Sequence, residues 1–195
     1  MTELLLASAS PRRAELLRQI GVGFRFLSPP EIDETVQCGE APGPYVRRMA
    51  YEKARTGWNG LAEREGVAVL GADTAIALDD VILGKPSDRG HARQMLQQLC
   101  GREHRVLSAV SVITAGHEWV RTATTLVRIR DGARDDIETY LDTGEPMDKA
   151  GGYGIQGFGA VLVEYIVGEY ANVVGLPLID TRELLAAAGV SWWQR

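Results

Sequence analysis

Cysteine is scarce in this 195-residue chain, and the two present, Cys38 and Cys100, have no metal-ligand spacing. Free thiols of a reducing compartment are therefore expected rather than a structural disulfide or a zinc site. Long uncharged apolar runs are also lacking. The best candidate, Phe158 to Val174, is interrupted by Glu164, Gly168 and Glu169, short of the roughly 18 apolar residues a membrane-spanning helix needs. The N-terminal stretch carries only Leu4 to Ala7 behind an acidic Glu3, unlike the basic start and longer apolar segment of a secretory signal. Neither a membrane nor a secreted location is expected. Cationic excess is missing too: 21 Lys and Arg stand against 26 Asp and Glu, a net charge of -5. Nucleic-acid binding draws its energy from many Lys and Arg contacts to phosphates, so no nucleic-acid partner is expected and any phosphate site must be local. Neither a Walker A sequence nor a GxGxxG after a strand occurs, which removes the P-loop and Rossmann readings. His91, His104 and His117 show no metal-like spacing and are expected at the surface or at caps.

What is present is apolar material, 45% of residues, enough for one compact domain spanning residues 1–195, with two lobes. Short β-like runs alternate with amphipathic stretches, the pattern of a layered α/β domain. Leu4 to Ala7 reads as a buried strand. Ser10 and Pro11 open a helix through Leu16, Leu17 and Ile20, with Ser10 as its cap. After a Pro-rich loop containing Glu31 to Thr35, Val46, Met49, Ala50 and Ala54 form the apolar side of a second helix, from about Pro44 to Arg55, with Gly57 as its stop. Val67 to Leu78 is an apolar strand broken at Asp73-Thr74, and Asp79-Asp80 turns into Val81 to Pro86. Ser87 or Asp88 caps a helix ending at Gly101. Val106 to Thr114 and Trp119 to Arg130 form a hairpin, which makes the sheet mixed. Asp135 is expected to cap a helix through Ile137, Tyr140 and Leu141. A Gly-rich loop from Lys149 to Gly159 feeds a strand at about Ala160 to Ile166, and a capping-box-like Asp180/Glu183 pair opens the last helix.

Four places break this pattern, and each suits a bound polyphosphate. Ser8 to Arg13 brings a hydroxyl and two guanidiniums, Arg12 and Arg13, to a strand-to-helix junction whose free N–H groups and dipole favour an anion; an ordinary capped helix with two solvated arginines accounts for the segment as well. Lys53 falls seven residues after Val46, on the apolar stripe of its helix, either because its stem snorkels past the core or because it serves a site. Asp73, followed by Thr74, interrupts an apolar strand, where a carboxylate is costly unless paired or holding a metal; a strand-end turn is the duller alternative. Lys85, past the Asp79-Asp80 turn, could return to the same end of the sheet. From Asp148 to Gly157, four glycines in seven positions permit close backbone approach, either to a ligand or within a tight loop, and Lys149 and Gln156 supply donors.

Taken together, Ser8-Ala9-Ser10-Pro11-Arg12-Arg13, Glu31 to Thr35, Glu52-Lys53-Ala54, Gly71-Ala72-Asp73-Thr74, Gly84-Lys85-Pro86, Asp148 to Gly157 and Val174 to Leu178 resemble the Maf family of nucleoside triphosphate pyrophosphatases over nearly the whole chain. The resemblance implies an inosine-triphosphatase-like α/β fold: a bent mixed sheet flanked by helices, with a nucleotide cleft between two lobes. It further implies a nucleoside triphosphate substrate, a divalent metal cation (Mg²⁺ or Mn²⁺) and a cytoplasmic location. Asp73 then matches the catalytic acidic residue or proton acceptor, and Ser8, Arg13, Lys53 and Lys85 match the phosphate-contacting set. Lys149 joins Gln156 as a substrate contact, and Asp73 with Glu34 is expected to hold the metal. Arg12, Thr74 and Gln156 fall on the side of the branch acting on dTTP and UTP, where the branch acting on 7-methylguanosine triphosphate typically carries an aromatic residue, Gln and Glu. Two alternatives stay open: that second activity, and a nucleotide-binding inhibitor of septum formation acting through a partner. A homodimer is entertained with no residue pattern behind it.

Overall fold

The computed structural model describes residues 2–28 and 31–193; Pro29 and Pro30 of the expected Pro-rich loop lie outside them. In chain order it contains β1 (Glu3–Leu6), α1 (Pro11–Gln19), β2 (Arg25–Phe26), α2 (Pro42–Asn59), β3 (Val67–Leu78), β4 (Val81–Leu83), α3 (Arg89–Leu99), β5 (Glu103–Ile113), β6 (Glu118–Ile129), α4 (Ile137–Asp142), β7 (Val163–Val167), α5 (Tyr170–Val174) and α6 (Leu178–Ala187). Short 3-10 turns, among them Glu145–Asp148, Ala150–Gly152 and Phe158–Leu162, fill the segment before β7. The strands form one mixed sheet in the order β2-β1-β3-β5-β6-β7, with β4 also on β3. β1 runs parallel to β2 and β3, and every other pairing is antiparallel.

Side chains of successive strand residues point to opposite faces, and β3 uses both. Val69, Ala75 and Ala77 face α2, packing with Ala50, Ala54 and Trp58. Leu70 and Ala72 face a cluster with Leu17, Leu176 and Leu184, while Ile76 and Leu78 face a second with Leu96, Leu99 and Tyr140. These last two clusters are the two lobes, and they share the sheet's other face.

β3 is unbroken at Asp73-Thr74, because β5 pairs along it from Val69 to Ala77. The interruption in its apolar pattern is chemical and leaves the backbone continuous. α2 runs through the expected stop at Gly57 to Asn59. Gly57 is a packing glycine: a Cβ there would lie 3.2 Å from both Ala7 and Leu27. Ser10 stands at the cap position of α1 without a side-chain cap bond; its N–H donates instead to Ser8 Oγ at 3.2 Å. Asp88 caps α3, accepting from His91 N–H at 2.8 Å. Asp135 caps nothing, since α4 continues directly out of a 3-10 turn. α6 begins at Leu178, before Asp180, and is capped by Glu169 from outside the helix, its Oε1 accepting from Leu178 N–H at 2.6 Å. β7 starts only at Val163.

His104 corrects the expectation of three surface or cap histidines. It is 2% exposed, because β5 is a central strand covered on both faces. Its Nε2 lies 2.6 Å from the hydroxyl of Tyr153, and its Nδ1 has no partner among the described residues. Burial pushes its pKa down to about 4.

Two predictions follow from this packing. At Gly71 a Cβ would lie 2.5 Å from Ala50 O and Ala54 N of α2, backbone atoms that cannot swing aside. Gly71→Ala should cost about 2–3 kcal/mol by overpacking, read by urea unfolding, whereas Gly43→Ala, with nothing within 4 Å, should cost less than about 0.5 kcal/mol; equal effects would refute the close approach. His104 is neutral in both folded and unfolded chains above its ordinary pKa near 6.5. As pH falls from there towards 4, the unfolded chain takes a proton that the fold refuses, so stability drops by about 2–3 kcal/mol between pH 7 and 4.5. His104→Gln should remove that part of the acid slope, and an unchanged slope would show that His104 does not carry it.

Candidate active site

Because β5 occupies one edge of β3, β1 and β4 must share the other. β1 covers Val67–Leu70 and β4 covers Ile76–Leu78, leaving the edge from Gly71 to Ala75 without a strand partner. Asp73 and Thr74 sit in this gap. The chain leaving β1 passes it through Ser8 and enters α1 at Pro11, and β4 delivers Lys85 just beyond its end. A cleft of about 860 Å³ opens here, within the range of small-molecule sites. It is lined by every residue the sequence singled out: Ser8, Arg12, Arg13, Glu34, Lys53, Asp73, Thr74, Lys85, Lys149 and Gln156.

On the α2 side, Asp73 is 8% exposed and Lys53 Nζ lies 2.7 Å from its Oδ1. The same ammonium lies 2.7 Å from Glu34 Oε1. Lys53 therefore does not snorkel to water, its side chain being 14% exposed; it is the counterion that makes a carboxylate tolerable inside β3. Glu34 is delivered by a loop bound to α2. Tyr45 donates to the Glu34 carbonyl at 3.1 Å, and Arg48 donates to Thr35 O at 3.0 Å and to Glu40 at 2.7 Å. Burial opposes ionisation of Glu34, but the Lys53 hydrogen bond and charge outweigh it and hold its pKa below the usual value. Tyr45 lies beside both acids, and burial together with their charge raises its phenol to about 12.

On the opposite face, Arg13 is fixed by three acceptors. Its Nε donates to Gly175 O at 2.9 Å, one terminal nitrogen to Ser8 Oγ at 3.0 Å and the other to Thr74 Oγ1 at 3.3 Å. Burial lowers its pKa, an effect the Asp73 charge opposes; the guanidinium stays cationic. Each terminal nitrogen keeps one further N–H for a ligand. Thr74 is itself 2.8 Å from Ser108 Oγ, which donates to Asn172 O at 2.8 Å. Asn172 in turn donates to Val106 O and Thr125 Oγ1.

Across the remaining wall, Arg12 lies 3.8 Å from Asp148. Lys149 gives two of its three donors to Glu145 O at 2.9 Å and Asp148 Oδ1 at 2.6 Å. Neither Gln156 nor Lys85 has a hydrogen-bond partner among the described residues, and both side chains face the cleft. The glycines of this segment answer to the protein's own packing. A Cβ at Gly154 would meet the Lys149 stem at 2.6 Å, and one at Gly157 would sit on the Glu145 carboxylate.

Tyr45, Ser108, Glu145, Asn172 and the Gly175 carbonyl escaped the sequence reading. Two of them carry a signal in the sequence: Asn172 is an amide inside Ala171 to Val174, and Gly175 lies in the Val174 to Leu178 motif. Among the described residues, no group of three or more His, Cys, Asp or Glu converges as a metal site, and no helix is long and apolar enough to cross a membrane. The arrangement has two cations, Arg13 and Lys53, fixed by hydrogen bonds, a buried carboxylate and a second acid on one ammonium, which together suit a polyphosphate bearing a hydrolysable bond.

The family profile described as Maf-like protein matches residues 3–188. The dTTP/UTP pyrophosphatase of Alcanivorax borkumensis is 53% identical over 191 residues, covering 98% of each chain. Those of Shewanella oneidensis and Symbiobacterium thermophilum are 49% and 47% identical, covering 96% and 97% of this chain and 98% and 95% of theirs.

Proposed function

The chain belongs to the Maf family, and from that premise we propose that it is a pyrophosphatase that hydrolyses dTTP and UTP to the monophosphate and pyrophosphate in the cytoplasm. The observation that carries this reading is the meeting of Ser8, Arg13, Lys53, Asp73 and Lys85, from four separate segments, in one cleft. The net charge of -5 suits a mononucleotide rather than a nucleic acid, and three relatives of 47–53% identity bear the name dTTP/UTP pyrophosphatase.

In the proposed reaction, water attacks the α-phosphorus, the bond to the bridging oxygen breaks, and pyrophosphate departs in line. Asp73 orients that water and accepts its proton. Arg13, Lys53 and Lys85 offset charge growing on the bridging and non-bridging oxygens; removing one such group commonly costs about 10²- to 10³-fold in rate. Arg13 arrives preorganised, because Gly175 O, Ser8 and Thr74 fix its plane before substrate enters.

A divalent cation, Mg²⁺ or Mn²⁺, fits the donor set. Asp73 and Glu34 each give one oxygen to the Lys53 ammonium at 2.7 Å, so the second oxygen of each carboxylate is what would hold the ion, beside Lys53. Two carboxylates completed by water and substrate phosphates are a usual arrangement for Mg²⁺. Bound there, the ion would neutralise phosphate charge and lower the pKa of a bound water. Gln156, with no partner of its own, offers both a donor and an acceptor to a pyrimidine edge.

Pyrophosphate release with Mg²⁺ or Mn²⁺ across dTTP, UTP, CTP, GTP, ATP and 7-methyl-GTP tests the reading, with turnover expected to be strongest on dTTP and UTP. Preference for 7-methyl-GTP would overturn the specificity, and binding without turnover on any nucleotide would favour the septum-inhibitor alternative. Asp73→Asn should abolish turnover in a protein of native circular dichroism; near-normal turnover would remove Asp73 from its role. Gln156→Glu should lower kcat/KM for dTTP by about tenfold or more, the loss of roughly one good hydrogen bond, and unchanged kinetics would exclude Gln156 from base reading.

A further inference from the structure

The segment from Gly154 to Gly159 carries Gln156 into the cleft as a loop without strand pairing. Such a loop is held in one conformation where its backbone donors find partners, and here one pair of side chains accepts from three of them, at Gly154, Phe158 and Gly159. Glu145 Oε2 accepts from Phe158 N–H at 2.8 Å, and Glu145 Oε1 accepts from Gly159 N–H at 3.0 Å and from the Tyr140 hydroxyl at 2.9 Å. The Tyr140 oxygen in turn accepts from Gly154 N–H at 3.1 Å. The loop is thus held at both ends by one Tyr–Glu unit, and Ile155, Gln156 and Gly157 span the interval. Glycine is required at 157 because a Cβ there would lie 2.0 Å from Glu145 Oε2; the carboxylate fills the space a side chain would take.

We propose that Tyr140 and Glu145 are positioning residues for base selection: they fix the Gly154–Gly159 loop so that Gln156 meets the nucleobase in one register. This rests on the dTTP/UTP reading above. The unit is separate from the phosphate machinery, since no hydrogen bond or ion pair links the Tyr140 or Glu145 side chain to Ser8, Arg13, Lys53 or Asp73 among the described residues. Its charge state is secure near neutrality. Burial disfavours the Glu145 carboxylate, but the Gly159, Phe158 and Tyr140 donors outweigh it and lower its pKa, while burial and the Glu145 bond raise the Tyr140 phenol. A glutamine could not replace Glu145, because its amide nitrogen would point one donor at another.

The test compares kcat and KM for dTTP, CTP and GTP in the wild type, Tyr140→Phe, Glu145→Ala and Glu145→Gln, with inhibition by tripolyphosphate as a probe of the phosphate end alone. The variants should lose about tenfold of the kcat/KM preference for dTTP over GTP, through KM for dTTP, the equivalent of one well-placed hydrogen bond. kcat should stay within about threefold and tripolyphosphate inhibition should be unchanged. Glu145→Gln should behave like Glu145→Ala, and the Tyr140→Phe/Glu145→Ala double variant should lose little more than Glu145→Ala, as expected of groups acting as one unit. Where Glu145→Ala does not fold, Tyr140→Phe, which removes a single oxygen, decides by the same readouts. Folded variants that keep the wild-type preference, or that lose kcat while the preference stands, overturn the proposal. A wild type that turns over neither dTTP nor UTP overturns the reading beneath it instead, which separates the two failures.

Discussion

Helix α2 can set Lys53 against Asp73 only because nothing larger than hydrogen stands between the helix and β3 at Gly71, where a Cβ would meet the backbone at Ala50 and Ala54 at 2.5 Å. Most of the site hangs on that close approach. It brings the ammonium within 2.7 Å of Asp73 Oδ1, and α2 also carries Tyr45 and Arg48, which hold the Glu34 loop. A side chain at 71 would lift the helix and separate the one buried carboxylate of the strand from its counterion. Removing either partner of such a pair leaves an uncompensated charge, which costs more than the intact pair contributes.

The same strand explains why the site is a cleft. β1 and β4 share one edge of β3 and stop short of each other, so the sheet has a gap where two lobes pack on a common face. Alternation sends Asp73 towards α2 and Thr74 towards Arg13 and Ser108, yet both border the gap. One dipeptide thereby serves two layers: an acid–ammonium cluster on one face, and on the other a guanidinium column running through Ser108 to Asn172.

Legibility in the sequence followed the range of the forces involved. α1, α2, α3 and the β5–β6 hairpin could be read because periodicity and turn residues are local signals. Lys53 and Asp73 could be singled out because each violates its own element's pattern. Elements governed by distant partners were misread. α6 takes its cap from Glu169, outside the helix, and Gly57 stops nothing because it serves a packing contact with Ala7 and Leu27. His104 reads as a polar residue at a strand entry, and only the covering of β5 on both faces makes it buried. Glu145 left no trace, since its partners Gly154, Phe158 and Gly159 meet it only once the loop has folded.

By itself the sequence determined the α/β class, the residues that break the pattern of their own elements and the family resemblance, because these reside in residue type, order and short-range spacing. Only the tertiary structure decided that Lys53 bridges Asp73 and Glu34, that Arg13 is locked by Gly175, Ser8 and Thr74, and that Tyr140 and Glu145 clasp the loop bearing Gln156. Each of those depends on distances between segments far apart in the chain, which are set by how helices and strands pack rather than by any local preference.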